Sequence, residues 1–210
     1  MKLRNVLIAG VVMLTGLAAM ADDAPKFEVT VDYSYARYNA SHAYTSSYSL
    51  NGGGGAFDFN FTKYIGIKGD FQGYGSNTQR FTALPGSSIC PLGCSANVQG
   101  NLFTYLFGPQ IGIRTGKFRP YGHVLLGGAH SNVYGNLLKT SGVVFSTAPS
   151  GNCFALAFGG GLDIAINHTG TVAFRPAEID YLYTRFNNSA SSGQNSFQYK
   201  AGVVFNFGGL

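Results

Sequence analysis

Charge is scarce in this chain. Only 11% of its 210 residues are Asp, Glu, Lys or Arg, against about 25% in an ordinary soluble domain, so it cannot clothe a water-facing surface of its size in the usual way. Tryptophan is absent, and beyond the N-terminal segment no run of about 18 apolar residues occurs, which excludes a transmembrane helix in the mature chain. A strong basic excess is also missing. Setting aside Lys2 and Arg4, Lys+Arg falls from 14 to 12 against Asp+Glu 9, scattered along the chain, and nucleic acid is not an expected partner. Disorder is excluded by the opposite signal, 45% hydrophobic and 14% aromatic residues, which is far from the composition of unfolded chains.

The first 21 residues have the layout of a secretory signal peptide. Lys2 and Arg4 precede an apolar run from Val6 to Ala18, and Ala19-Met20-Ala21 is a small-residue cleavage site. Residues 22–210 are then one exported domain. An exported chain with little charge and no spanning helix still has a way to cross a membrane, because a closed β-barrel satisfies every backbone group through its strand ladders.

Period-2 alternation runs through the rest of the chain. Phe27, Val29, Val31, Tyr33 and Tyr35 alternate with Glu28, Thr30, Asp32 and Ser34. The same pattern returns at Phe57 to Phe61, Ile65 to Gln72, Phe103 to Arg114, Phe118 to Leu126, Phe154 to Ile166 and Phe197 to Phe207. Between Thr171 and Phe186 the parity breaks, since Arg175 is odd while Glu178 and Asp180 are even; a one-residue bulge at Pro176-Ala177 puts all three on one side. The expectation is eight strands of about ten residues, an all-β, eight-stranded antiparallel up-and-down transmembrane barrel. Short turns near Lys63, Gly116 and Thr169 alternate with longer connections at 39–48, 75–99, 131–150 and 187–194, the asymmetry of periplasmic turns and extracellular loops.

Alternation alone leaves open which face is outside. The charged face carries Asp32, Asp58, Lys68, Asp70, Arg114, Arg119, Asp163, Arg175, Glu178, Asp180 and Lys200. A Lys or Arg facing lipid costs about 2–4 kcal/mol at the midplane, so these residues are expected inside, pairing with one another. Phe27, Tyr64 and Phe118 at one rim and Tyr35 and Tyr183 at the other fit interfacial aromatic girdles.

From Phe27 to the C-terminus the chain resembles the OmpA-like family of small bacterial outer-membrane barrels. The resemblance rests on Arg119-Pro120-Tyr121-Gly122, on Phe158-Gly159-Gly160-Gly161-Leu162-Asp163, on Glu178-Ile179-Asp180-Tyr181, and on the last strand, Ala201 to Phe207. It implies a bacterial outer-membrane location, contact with outer-membrane lipids and lipopolysaccharide, and insertion by the barrel-assembly machinery. The family's terminal aromatic residue is displaced here, with Gly208-Gly209-Leu210 following Phe207. Because the chain ends with the barrel, no peptidoglycan-binding domain of longer relatives is expected.

An eight-stranded interior is just wide enough to be filled by its own side chains, so the inner charges read as a plug. The expected function is a structural or surface-interaction role carried by the extracellular loops and their ligand, in a monomer that is not an enzyme and needs no cofactor. A narrow solute channel is the alternative. A lipid-modifying enzyme built on His130-Ser131 is weaker, because adjacent strand residues point to opposite faces; His42, His123 and His168 are spaced too singly for a metal site. Cys90-Pro91-Leu92-Gly93-Cys94 can staple a loop in an oxidising compartment, and Cys153 is an alternative partner for either. Gly52–Gly55 lacks the Lys-Ser/Thr of a phosphate loop and is expected to ease strand bending.

Overall fold

A computed structural model describes residues 24–39, 48–75, 79–83, 92, 94–98, 101–131, 151–167, 169–185 and 193–210. The signal segment, His42, Cys90 and His168 lie outside them. The strands are β1 (Pro25–Asn39), β2 (Tyr48–Asn60), β3 (Ile65–Tyr74), β4 (Gln79–Ala83), β5 (Cys94–Val98), β6 (Leu102–Gly112), β7 (Phe118–Ser131), β8 (Asn152–Ala165), β9 (Val172–Thr184) and β10 (Gln194–Gly209). Eight of them close into an antiparallel barrel in the order β1-β10-β9-β8-β7-β6-β3-β2. Closure comes from β1 against β10, paired from Pro25↔Gly209 to Asn39↔Asn195. No strand of the barrel is left with an unpaired edge, which is what a lipid environment demands of a β-structure.

Alternation decides the faces. Val31, Phe71, Phe107, Ile111, Val124 and Phe158 all stand half-exposed on the outside, while Thr30, Asp32, Asp70, Gln110 and His123 are buried within. The outer aromatics pack across strands, with Phe27 and Phe59 at 5.2 Å, Phe71 edge-on to Phe107 at 5.3 Å, and Phe158 against Tyr181 at 4.9 Å between centroids.

Three tight turns share one rim with both strand termini. In the first, Thr62 Oγ1 accepts from the backbone N–H of Tyr64 and Ile65 at 3.2 and 3.0 Å. The others use Gly116 and Gly170 in the left-handed region (φ 82° and 66°), a backbone that side-chain-bearing residues rarely adopt. The opposite rim carries the long connections.

The parity break resolves as expected. On the β10 side Glu178 faces Lys200 and Arg175 faces Gly202; on the β8 side Ala177 faces Leu162 and Phe174 faces Ile164. On each side β9 carries one more residue than its neighbour, a bulge at Pro176-Ala177 that returns Arg175, Glu178 and Asp180 to the lumen. Tyr199 Oη donates to the Pro176 carbonyl at 2.6 Å and anchors it.

β2 begins at Tyr48, so Gly52–Gly55 lie inside a strand, as the bending role expected of them requires, paired with Val31 to Ser34 on one side and Phe71 to Tyr74 on the other. One feature departs from expectation. Within the connection read as a loop, β4 and β5 form a separate two-stranded hairpin; five residues are too few for alternation to stand out.

Deleting Pro176 removes the bulge and forces charges on one side of it toward lipid, since a one-residue slip reverses every side chain. The expected outcome is loss of the folded, heat-modifiable band in gel electrophoresis, whereas Pro176→Ala, which keeps length and carbonyl, retains it.

Candidate functional site

The lumen has two tiers. Toward the short turns it is charged. Toward the long connections it is apolar, with Ala36, Leu50, Leu102, Leu106, Leu125, Ala129, Ala155, Ala157 and Leu182 buried together around Tyr74. This part of the inner face is mostly apolar, with Thr104, Ser131 and Thr184 buried on the same strands and Ser196 on β10. Between the tiers, Gln198 Nε2 donates to Tyr74 Oη at 2.7 Å and Gln72 Nε2 to Asp32 at 3.3 Å.

Glu178 is the hub of the charged tier. Its Oε2 accepts from Lys68 Nζ at 2.6 Å, from Arg175 Nη1 at 2.7 Å and from the Tyr121 hydroxyl, and its Oε1 accepts from Lys200 Nζ at 3.0 Å. Lys200 also reaches Asp70 at 2.8 Å and Asp180 at 2.9 Å. Arg175 grips Asp163 with two bonds of 2.7 and 2.9 Å, the bidentate geometry that makes Arg–carboxylate pairs strong. Its guanidinium and the Lys68 ammonium lie over the Tyr121 ring at 4.6 and 5.2 Å, a cation–π arrangement on both cations. β3 and β9 are four strands apart in either direction around the barrel. The Lys68–Glu178 contact therefore spans the full diameter.

Glycines in β8 make these reaches possible. Tyr121 pairs across Gly161 with Glu178, and His123 across Gly159 with Asp180. Because neither glycine puts a side chain into the lumen, β7 side chains pass over β8 to the carboxylates of β9. His123 Nε2 ends 2.9 Å from Asp180 Oδ1, and a Cβ on Gly159 would sit 2.1 Å from that same oxygen.

Below the hub, Glu28 accepts from Arg114 Nε at 3.1 Å and Asn60 Nδ2 at 2.6 Å. The Gln110 amide, oriented to suit its neighbours, donates to Asp58 Oδ1 and accepts from Arg114, each at 3.1 Å. Of the eleven charged residues expected inside, ten are buried there; Arg119 instead lies at the turn rim, donating to the Gly116 and Gly170 carbonyls at 3.1 and 3.4 Å. Its position at the strand start puts it past the last lumen layer. Sequence reasoning left out Glu28, Tyr121 and His123. Glu28 was visible in the alternation of β1, but the partners that make Tyr121 and His123 part of the cluster come from β9.

His123, Glu178 and Asp180 bring three potential metal ligands within 4.8 Å of one another, which the spacing of the histidines did not indicate. The cation between the two carboxylates is the Lys200 ammonium itself, so the chain supplies its own counter-ion there. At the other rim His130 is exposed, with Nδ1 2.7 Å from Asn152 Oδ1, while Ser131 is buried, so the two do not share a face. Cys153 is a free thiol packed against the apolar tier. Cys94 opens β5, and the proposed Cys90–Cys94 staple lies outside the described residues.

A closed eight-stranded barrel with lipid-facing aromatics and an ion-paired lumen fits one family model over residues 7–207, the outer membrane protein beta-barrel domain. The chain belongs to this family of bacterial outer-membrane barrels. Among solved structures it is similar to Neisserial surface protein A, with 16% identity over 89% of this chain and 100% of that one and a TM-score of 0.58. It is also similar to OprG from Pseudomonas aeruginosa, with 12% identity over 89% and 98% of the two chains and a TM-score of 0.54. No curated protein matches the sequence.

Removing one partner from a buried ion pair costs about 3–5 kcal/mol because the other charge is left uncompensated. Glu178→Gln takes from Lys68 the carboxylate it is bridged to, while Arg175 keeps Asp163 and Lys200 keeps Asp70 and Asp180, and urea unfolding in lipid vesicles is expected to show a loss of that size. Asp32→Asn, whose carboxylate accepts only from Gln72 among the described residues, is expected to change stability by less than about 1.5 kcal/mol.

Proposed function

We propose that the protein is a sealed outer-membrane barrel that works through its long connections, in a structural or surface-interaction role, rather than by conducting solutes or by catalysis. The observation that carries this reading is the Lys68–Glu178 contact between diametrically opposite strands. A side-chain bridge across the diameter leaves no central path, and the Arg175 and Lys200 pairs fill the same level from both sides. The buried Leu and Ala side chains above it, gathered around Tyr74, fill the lumen a second time with groups that offer an ion few ligands.

In this reading the short-turn rim faces the periplasm and the long connections face outward. The outer belt contacts outer-membrane lipids and lipopolysaccharide, and the closed sheet leaves the monomer without an edge to share. The barrel-assembly machinery inserts the chain, and any ligand is met by the connections at 39–48, 75–101, 132–151 and 185–193. These stretches are rich in Ser, Asn and Gly, residues suited to adaptable polar contact.

Liposomes reconstituted with the folded, heat-modifiable barrel are expected to show solute flux no greater than protein-free vesicles. Size-limited flux from folded protein would sink the sealed-barrel reading in favour of a channel.

A further inference from the structure

The distribution of carboxylates has a one-sided result. From residue 24 onward every Asp and Glu of the chain lies in the lumen: Glu28, Asp32, Asp58, Asp70, Asp163, Glu178 and Asp180 are all buried. Apart from Asp22 and Asp23, which lie outside the described residues, nothing acidic is left for the outer surface. The sequences 39–47, 75–101, 132–151 and 185–193 contain no Asp or Glu, and their charges are Arg80, Lys139 and Arg185; Arg37 precedes them at the end of β1. Soluble surfaces intersperse both signs, whereas this rim is basic alone.

Arg37 and Arg185 have the most telling placement. Both are exposed, on the outward-facing side of β1 and at the end of β9, the two neighbours of β10. Each stands two residues beyond a tyrosine of the same face, Tyr35 and Tyr183, with Phe197 exposed on β10 between them. The Arg37 guanidinium contacts a neutral partner, donating to Ser49 Oγ at 3.3 Å. Two arginines therefore sit where the aromatic belt gives way to polar surface, with no carboxylate beside them among the described residues.

We infer that Arg37 and Arg185 form a binding site for the phosphates of an outer-leaflet glycolipid of the lipid A type, whose acyl chains lie against the Tyr35, Phe197 and Tyr183 surface. Arginine offers phosphate a planar pair of donors that lysine lacks, and the anionic headgroup level of a bilayer is where a snorkelling Arg side chain ends. The charge complementarity selects the ligand: a phosphate-bearing amphiphile meets cations above and apolar rings below, whereas a soluble polyanion meets only the cations. The inference rests on the outward orientation assigned above.

The test uses full-length folded protein in detergent, with hexa-acylated bisphosphorylated lipid A and the same lipid dephosphorylated as probes, and bound lipid counted by native mass spectrometry. Wild type is expected to retain the phosphorylated lipid at least ten-fold better than the dephosphorylated one. Arg37→Gln/Arg185→Gln is expected to lose that preference, while Lys26→Gln/Lys117→Gln at the opposite rim keeps it; the heat-modifiable band shows that each variant is folded. Equal retention of both lipids, or equal losses in the two double variants, would overturn the site. So would an inorganic polyphosphate that binds with the same dependence on Arg37 and Arg185, since the acyl chains would then play no part. Because the flux assay reads the lumen and this one reads the rim, the failure of either is separable from the failure of the other.

Discussion

An eight-stranded barrel has room inside for one layer of side chains, so a charge placed there must be met by another inward-facing group or remain unpaired in a low-dielectric core. Everything else in this structure answers to that constraint. Glu178 answers it by accepting from Lys68, Arg175, Tyr121 and Lys200, which come from β3, β9, β7 and β10. Four strands thus converge on one carboxylate. The ladder closes the barrel from outside, and this hub ties its walls together from within.

The segments that carry the family resemblance turn out to be parts of one assembly. Arg119-Pro120-Tyr121-Gly122 brings Tyr121, Phe158-Gly159-Gly160-Gly161-Leu162-Asp163 brings two open positions and Asp163, and Glu178-Ile179-Asp180-Tyr181 brings the carboxylates. They sit on three consecutive strands and would be read separately as turn chemistry or strand flexibility. Placed side by side, they show that the glycines of β8 are spaces for the side chains of β7. A residue with a side chain at 159 or 161 would collide with Asp180 or Tyr121.

Much of this was legible in the sequence because a period of two is a strong signal where one face is charged. The strands, their number, the alternation of short and long connections and the bulge at Pro176-Ala177 all follow from parity. What stayed hidden had no parity to read. In Tyr105-Leu106-Phe107, Val124-Leu125-Leu126 and Tyr181-Leu182-Tyr183 both faces are apolar, so the inward leucines look like part of the lipid belt. Arg119 has the right parity but lies at the strand's first turn, and parity does not report height along the barrel. His123 looked solitary because its carboxylate partner is 57 positions away in the chain, as far as Tyr121 is from Glu178.

The ion-paired hub also dictates an order of assembly. Lys68 and Glu178 are separated by 110 positions, and Asp70 and Lys200 by 130. While β3 enters the bilayer its lysine has only Asp58, opposite it on β2, and its aspartate lacks Lys200 until the last two strands arrive, so stepwise insertion from the N-terminus would leave charges poorly matched in hydrocarbon. Contacts so distant in sequence make folding slow and cooperative, and the C-terminal hairpin becomes the keystone: a chain lacking β9 and β10 loses an edge of the sheet and also the groups that neutralise strands already in place.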